Sequence, residues 1–237
     1  MTANNRFYSL ERLNRRRRLS HAFYPHKSAQ LNPSRIVKRG FDICFSLLVL
    51  VLGCPIYLIL AACVYLSSPG PIFFSHQRVG RNRRSFGCIK FRTMVPNADQ
   101  KLRDLLEKSP QMRREFEETF KLKNDPRITW IGKFLRVSSL DELPQFVNVL
   151  RGEMSVVGPR PLVKDELSRY GEEIDYVLSV KPGVTGLWQV SGRSDISYED
   201  RVKLDVSYVE KHSLALDVML VLKTVGVMVA PKNNGAY

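Results

Sequence analysis

The sequence predicts a small α+β domain, mainly helical, that is associated with a membrane. The chain has 237 residues, 44% hydrophobic and 25% charged, which excludes a wholly disordered chain and allows one ordinary domain or two small ones. Its formal charge is +14, and residues 1–100 carry 16 basic and 3 acidic side chains. This basic excess surrounds one long apolar segment. The arrangement indicates anionic lipid as a partner and argues against nucleic acid.

The N-terminal third divides into an arm and a membrane element. Residues 1–34 are polar, basic and weakly patterned, and we expect a mobile arm near lipid. Within residues 35–67, Ile43–Leu66 carries no formal charge over 24 residues, which is enough to cross a bilayer core of about 20 residues. Gly53-Cys54-Pro55 interrupts this segment, because proline lacks an N–H donor and glycine loosens a helix. Basic residues flank both ends, and positive charge marks the cytoplasmic side.

A re-entrant helix hairpin, broken at Pro55 and returning to the same leaflet, accounts for both the break and the flanks. A kinked helix that spans the bilayer stays open, since spanning helices tolerate proline. Leu214–Ala230 is a second apolar stretch, short for a span and carrying two charges. Its pattern favours an amphipathic interfacial helix or a helix packed on the domain.

Residues 68–237 are expected to form a cytosolic domain. The sequence predicts a rigid turn, two short strands around a basic loop, and helices, in the order Ser68–Pro71, Ile72–Phe74, Arg78–Arg84, Cys88–Phe91, Asn97–Lys121, 130–151 in two pieces, and 196–212. An apolar stripe along Asn97–Lys121 gives that helix one face to pack. The four cysteines lack metal-ligand or disulfide spacing, which favours a reduced compartment.

Adjacent carboxylates, Asp141 and Glu142, stand just before an apolar helical stretch. Either Ser139 pairs with Glu142 in a capping box, or Asp141 caps the helix, a register that suits Pro144 better. In both registers the field of the helix N-terminus keeps the carboxylates ionised. An ionised carboxylate can bind Mg²⁺ or attack phosphorus. Capping and catalysis therefore both stay open for this pair.

Cationic side chains on turns and loops form a second group of candidates. They lie in Lys90-Phe91-Arg92-Thr93-Met94, Asp125-Pro126-Arg127-Ile128-Thr129, Gly158-Pro159-Arg160-Pro161 and the glycine-rich Pro182–Arg193. Arginines bind phosphate oxygens through two donors each. If these segments converge around the carboxylates, they predict a site for a diphosphate and a metal. The sequence has no phosphate-binding loop of the nucleoside-triphosphatase type, which disfavours that class.

These motifs occur in an order that resembles the bacterial sugar transferases, the monotopic phosphoglycosyl transferases that begin exopolysaccharide and glycan assembly. The resemblance starts at Lys38-Arg39-Gly40-Phe41-Asp42 and includes the broken apolar segment, Ser68–Pro71, Gln77-Arg78-Val79-Gly80, Lys90–Met94, Asp125–Thr129, Ser139–Gln145, Gly158–Pro161 and Pro182–Arg193. The ending Gly235-Ala236-Tyr237 and the short length are most similar to the exopolysaccharide group that transfers galactose phosphate.

The resemblance implies transfer of a sugar-1-phosphate from a UDP-sugar to undecaprenyl phosphate, with release of UMP, on the cytoplasmic face of the bacterial inner membrane. It also assigns roles. Asp141 would attack the sugar-bound phosphorus and form a covalent phosphosugar intermediate, and Glu142 would assist as a partner of Mg²⁺ or as a base. The nucleotide part would contact Arg160. Further substrate-binding candidates are Lys90, Arg92, Arg127, Gln189 and Arg193.

Composition alone is also consistent with a non-catalytic, basic scaffold or regulator at the membrane surface. Activity that depends on Mg²⁺ would separate the enzyme from this alternative. The residues do not decide which sugar is transferred, although galactose is favoured. They also leave open whether the chain forms a homo-oligomer.

Overall fold

A computed structural model describes residues 33–119, 122, 124–192 and 196–229. Of the expected arm at residues 1–34, residues 1–32 lie outside the described residues, as do the candidate Arg193 and the C-terminal Gly235–Tyr237, whereas Pro33 and Ser34 belong to a helix. The described residues from Val37 onwards belong to one compact unit. Within the described residues the prediction of a mainly helical α+β domain is confirmed.

Nine α-helices are described: α1 Pro33–Leu52, α2 Cys54–Ser67, α3 Ala98–Lys108, α4 Pro110–Thr119, α5 Trp130–Ser138, α6 Gln145–Arg151, α7 Ile174–Val177, α8 Tyr198–Lys211 and α9 Leu214–Val229. Shorter 3₁₀ segments cover Arg81–Arg83, Leu140–Glu142 and Lys164–Glu173. Side-chain caps start two of the helices, because Thr129 Oγ1 accepts from the Gly132 N–H and Ser197 Oγ accepts from the Asp200 N–H.

Two small sheets complete the described fold. Strands β1 (Phe73–Val79) and β2 (Ser85–Phe91) form an antiparallel hairpin in which Phe74 pairs with Lys90 and Arg78 with Phe86. Strands β3 (Ser155–Val157) and β4 (Gly183–Thr185) pair in parallel. The predicted strands Ile72–Phe74 and Cys88–Phe91 are thus too short, and Ile72 lies just outside β1. The predicted basic loop Arg78–Arg84 is confirmed for residues 80–84, whereas Arg78 and Val79 belong to β1.

The helices α1 and α2 follow the proline-broken apolar segment. Among the described residues no single helix is long and apolar enough to cross a membrane, whereas α1 and α2 together reach that length across a 62° bend. The bend lies at Gly53, and Pro55 occupies the first turn of α2, where a missing N–H costs no intrahelical bond. Large apolar side chains of both helices are exposed: Leu47, Leu48, Val51, Leu52, Ile56, Leu58, Ile59 and Leu66.

The other side of α1 packs on the rest of the domain. Asp42 is almost fully buried, and its Oδ1 accepts hydrogen bonds from the Ser155 hydroxyl (2.9 Å) and the Val156 N–H (3.0 Å). Lys38 Nζ lies 2.6 Å from Asp217 Oδ2. Because Asp217 lies on α9 and is itself buried, α1, β3 and α9 are joined by one polar cluster.

Hydrophobic cores hold the remaining helices and strands together. One core brings together buried residues of β2, α6, β3, α8 and α9, and a second lies between α2, β2 and α5.

The stretch Asn97–Lys121 differs from the prediction: α3 ends at Lys108 and α4 starts at Pro110, because proline disfavours helical backbone in the residue before it. Its stripe is only partly buried. The helix at 214–229 is packed on the domain, with Leu220 fully buried.

Candidate active site

The carboxylate pair lies on a short turn rather than at a helix cap. Asp141 and Glu142 belong to the 3₁₀ segment Leu140–Glu142, and α6 begins only at Gln145. Ser139 has a left-handed backbone with φ 60° and makes no side-chain cap. Both predicted capping registers are therefore wrong. Pro144 precedes the first residue of α6 and starts that helix without a side-chain acceptor.

Lys90 of β2 is the cation closest to both carboxylates within the described part of the chain. Its Nζ lies 2.5 Å from Glu142 Oε1 and 3.7 Å from Asp141 Oδ2. The side chain of Asp141 is 13% exposed, against 33% for Glu142. The three groups thus form an ion cluster. Glu142 makes the close contact with Lys90, and the oxygens of Asp141 are bound less closely by this ammonium.

This geometry gives the two acids different titration behaviour. Burial raises the pKa of Asp141 to about 6, and the charge of Glu142 adds to this, while Lys90 and Arg136 oppose it. Burial would also raise the pKa of Glu142, but its ion pair with Lys90 and the charges of Arg160 and Arg78 hold that pKa below its usual value. Asp141 therefore binds its proton more tightly than an exposed aspartate does, because desolvation outweighs the charges that favour its ionised form.

Beside Glu142 lies a small pocket, of about 40 Å³, that opens to solvent. Its walls come from β1, β2, α6, the turn at residues 158–161 and the loop after β4. Ten residues line it: Arg78, Cys88, Lys90, Glu142, Gln145, Arg160, Pro161, Gly183, Val184 and Gln189. Four of the predicted site residues are therefore brought together: Lys90, Glu142, Arg160 and Gln189. Asp141 lies next to them through its contact with Lys90.

Six of the pocket residues were not among the predicted site residues, and Arg78 and Gln145 are the two of these with long polar side chains. Arg78 appeared in the basic loop Arg78–Arg84 and in the motif Gln77-Arg78-Val79-Gly80 without a role in the site, and Gln145 only as the last residue of the carboxylate motif. In the hairpin Arg78 and Lys90 lie on the same face, since cross-strand partners share a face and alternate residues return to it. Extending the predicted strand from Phe74 to Arg78 would have placed both cations together.

Two predicted phosphate ligands are engaged elsewhere and do not line the pocket. Arg127 forms a two-point ion pair with Asp125, at 2.7 and 2.8 Å, and both side chains are buried. Arg92 is also buried, and its guanidinium donates to the backbone oxygen of Ser68. These two arginines hold the turns on which they lie.

Arg160 is exposed and lies over the Trp188 ring, with its guanidinium carbon 5.7 Å from the ring centroid. Arg201 lies 4.9 Å from the same ring. The turn that carries Arg160 is fixed to β4 by backbone hydrogen bonds from Gly158 to Thr185 and from Gly183 to Pro159. The backbone therefore sets Arg160 at the mouth of the pocket.

A magnesium ion would find only a small set of protein ligands in this site. Among the described residues no group of three or more His, Cys, Asp or Glu side chains could hold a metal. Asp141 and Glu142 nevertheless offer two hard oxygen donors next to a cation-lined pocket. Mg²⁺ is commonly bound by one or two carboxylates together with the phosphates of a substrate, so the pair fits an ion that arrives with a diphosphate.

Comparison with known proteins agrees with this geometry. The chain is 50% identical over 204 residues to an undecaprenyl-phosphate galactose phosphotransferase of Salmonella typhimurium, covering 86% of this chain and 42% of that protein. It is 45% identical to the exopolysaccharide production protein ExoY of Sinorhizobium fredii, covering 86% of this chain and 90% of that one. A UDP-glucose:undecaprenyl-phosphate glucose-1-phosphate transferase of Escherichia coli is 38% identical, with 81% of this chain and 40% of that protein covered.

The chain spans about two fifths of the length of the first of these relatives and nearly all of the second. A family model described as bacterial sugar transferase matches residues 33–231. That match includes the carboxylate turn, the hairpin and every segment that lines the pocket. The chain therefore belongs to the bacterial sugar transferase family.

Proposed function

We propose that this protein transfers a sugar-1-phosphate, with galactose as the favoured sugar, from a UDP-sugar to undecaprenyl phosphate and releases UMP. The observation that carries the proposal is the partly buried Asp141 next to the Lys90–Glu142 ion pair, at the edge of a pocket lined by three cations. The names of the relatives, which include phosphotransferases for galactose and glucose, support the reaction class. The ExoY relative supports a role in exopolysaccharide synthesis.

Asp141 is the proposed nucleophile because its oxygens are less engaged than those of Glu142. One of its oxygens bonds to the phosphorus that carries the sugar, and the bond from that phosphorus to the UMP oxygen breaks. The released UMP keeps the electron pair of this bond. In the second half an oxygen of undecaprenyl phosphate attacks the same phosphorus and displaces Asp141, which leaves a lipid diphosphosugar and the free carboxylate.

The cations of the pocket would bind the diphosphate. Lys90, Arg78 and Arg160 carry fixed positive charge, and phosphoryl transfer depends mainly on charge neutralisation and alignment. We propose that Asp141 and Glu142 also share a magnesium ion, which would neutralise charge on the phosphate oxygens. Lys90 would then move from Glu142 towards the phosphates when the substrate enters, since its ammonium is the group closest to both.

We also propose that the protein is attached to the cytoplasmic face of the bacterial inner membrane. The exposed apolar faces of α1 and α2 and the bend between them support attachment through a re-entrant hairpin. Both proposed substrates meet on that face, because the nucleotide sugar is soluble and the polyprenyl phosphate stays in the bilayer. A hairpin would confine the pocket to the plane of the lipid substrate, which reduces the search for it to two dimensions.

The decisive experiment measures UMP release by detergent-purified protein with undecaprenyl phosphate, Mg²⁺ and a panel of UDP-sugars. We expect lipid-dependent UMP from one sugar, complete loss in Asp141→Asn, and loss on chelation of Mg²⁺. Radiolabelled sugar phosphate should remain on the native protein when the lipid is omitted, and not on the variant. Full turnover by Asp141→Asn would remove the covalent mechanism. Folded protein that releases no UMP from any donor would favour the scaffold alternative.

A further inference from the structure

Gln189 brings to the pocket a hydrogen-bond acceptor that the phosphate-binding role does not use. Arg78, Lys90 and Arg160 can only donate, and they suit the oxygens of a diphosphate. Glu142 accepts, but its carboxylate is held by Lys90 at 2.5 Å. Gln189 Oε1 is buried within the pocket wall, and none of the residues that the structure describes donates a hydrogen bond to it. A buried acceptor without a donor costs free energy that a ligand can recover.

Hydrogen bonds between neighbouring residues close the loop on which Gln189 lies. The loop after β4 is closed by hydrogen bonds from the Ser191 N–H to the Trp188 oxygen (3.1 Å) and from the Ser191 hydroxyl to the Leu187 oxygen (2.7 Å). A Cβ atom at Gly186 would lie 2.7 Å from Gln189 Oε1. Only glycine at position 186 therefore leaves space for the carboxamide oxygen where it lies.

The chemistry of the proposed substrates limits what can donate to this oxygen. Diphosphate groups and an ionised polyprenyl phosphate offer oxygens and no strong donor. The hydroxyl groups of the sugar and ribose and the N–H of uracil are donors. Glu142 lines the same pocket as Gln189, and the sugar is bonded directly to the phosphorus on which Asp141 acts. The sugar is therefore the part of the substrate that lies nearest to the reacting groups.

We infer that Gln189 Oε1 accepts a hydrogen bond from a hydroxyl of the transferred sugar and that Gln189 thereby takes part in selecting that sugar. This inference rests on the proposed function. Sugars that differ at one carbon place a hydroxyl in different directions, so that a fixed acceptor can distinguish them. Sites that hydrogen-bond a substrate hydroxyl discriminate strongly against an analogue without it, because their own polar groups are then left unpaired.

The test compares Gln189→Met, which removes the acceptor at similar length, with Gln189→Glu, which keeps an acceptor oxygen. Gln111→Met is the matched control, since Gln111 is exposed on α4. Substrates are the UDP-sugar that the native protein uses and its 2-, 3-, 4- and 6-deoxy analogues. We expect Gln189→Met to lower kcat/KM for the full sugar about 5- to 50-fold, following the cost of an unpaired buried group, with partial recovery in Gln189→Glu and no change in Gln111→Met.

The deoxy analogues identify the partner group. One analogue should be poor for native protein and lose nothing further in Gln189→Met, while the other analogues should retain the full effect of the substitution. Binding of UDP without a sugar, measured by calorimetry, should be the same in native protein and variant. Weaker UDP binding in Gln189→Met would assign the contact to the nucleotide and overturn the inference. Equal kcat/KM in a folded Gln189→Met protein would overturn it as well.

Calorimetry with the UDP-sugar and its analogues separates this inference from the proposed function. If native protein binds them but releases no UMP, the reaction proposal fails while the pattern of binding across the analogues still tests Gln189. Native protein that binds no UDP-sugar would overturn both. Thermal unfolding of each variant shows whether the substitution has affected the fold.

Discussion

At Asp141, the balance between burial and Lys90 sets the proton affinity of the proposed nucleophile. Its pKa is raised to about 6 by desolvation, and the Lys90 ammonium keeps that rise smaller than burial alone would make it. Only the ionised carboxylate can attack phosphorus. Activity of the native protein should therefore fall as the pH decreases through about 6. A magnesium ion on the carboxylate would move this acidic limb of the pH–activity profile to lower pH, because a cation favours the charged form of the carboxylate.

Lys90→Gln tests this arrangement through the pH profile of kcat/KM. Removing the ammonium leaves Asp141 buried beside Glu142 without its closest counter-charge, so the pKa of Asp141 should increase and the acidic limb should move to higher pH. The loss of activity should be larger at pH 6.5 than at pH 8.5. Lys133→Gln removes an exposed lysine on α5 and should leave the limb in place. A limb that is unchanged in Lys90→Gln would separate Lys90 from the ionisation of Asp141.

Asp205 is a second buried acid, and its effect is on stability. The residue is fully buried, with Oδ2 accepting from the Tyr170 hydroxyl at 2.8 Å and Oδ1 without a partner. Burial raises its pKa from 3.8 to about 7, while Tyr170 and Arg160 oppose the rise. Between pH 4 and 7 the folded chain therefore binds a proton that the unfolded chain has released. The free energy of unfolding falls as the pH increases across this range, by up to about 4 kcal/mol for three pKa units.

Asp205→Asn should remove this dependence, because asparagine does not ionise. We expect the variant to gain stability relative to the native chain as the pH rises from 4.5 to 8, measured as the difference in Tm. Asp200→Asn is the control on the same helix, since Asp200 is exposed and its pKa is lowered by Lys203 and Ser197. A difference between Asp205→Asn and native protein that stays constant with pH would contradict the buried-acid explanation.

At the scale of elements, the break between α1 and α2 depends on two residues with different roles. A Cβ atom at Gly53 would lie 2.4 Å from the Val49 backbone oxygen, so that the backbone passes this point only without a side chain. Pro55 cannot donate to the oxygen four residues before it, at Val51. Glycine thus allows the close turn, and proline prevents the helix from continuing through it.

Pro55→Ala should allow α1 and α2 to straighten towards one spanning helix, because the missing donor is restored. Impermeant labelling of single cysteines placed at Ser34 and Ser68, with the native cysteines replaced, measures the side on which each end lies. We expect both ends on the cytoplasmic side in the parent and opposite sides in Pro55→Ala. Pro110→Ala, at the start of α4, should change nothing. Both ends cytoplasmic in Pro55→Ala would show that proline does not set the topology.

The elements that the sequence predicts well are those with a buried face. The helices at 198–211 and 214–229 follow their apolar pattern closely. Strand β1 was predicted too short because its residues are mostly exposed on both faces, from Phe73 to Gln77. Such a strand shows no hydrophobic alternation in the sequence. Its length is set by its pairing with β2, which only the structure reveals. The helix at 97–121 was predicted without its break because the apolar spacing continues across Ser109 and Pro110.

At the scale of the whole molecule, the site depends on contacts between segments far apart in the chain. Four such segments contribute Lys90, Glu142, Arg160 and Gln189. No local sequence pattern predicts that these side chains lie close together. Arg127 and Arg160 look alike in sequence, each next to a proline on a turn. Only Arg127 has an aspartate two residues before it, and that acid pairs with its guanidinium. An acid at this spacing was the available signal that Arg127 is engaged internally.

The proposed membrane attachment involves more than the bent helix pair, because α5 presents apolar side chains to solvent directly before the carboxylate turn. Trp130 and Phe134 are 70% and 52% exposed and lie four residues apart on one face of the helix. Burial of two such side chains in a lipid interface should contribute about 2 kcal/mol.

Replacing both with serine should therefore weaken partitioning into neutral phosphatidylcholine vesicles roughly tenfold or more, with little change in Tm, since neither residue fills a core. Lys133→Ser alters an exposed position on the same helix without removing a large apolar side chain and should leave the partitioning unchanged. Equal partitioning of the double variant and the native protein would confine attachment to α1 and α2. Weaker partitioning would place the turn that carries Asp141 at the bilayer surface, where the phosphate of the proposed lipid substrate would lie.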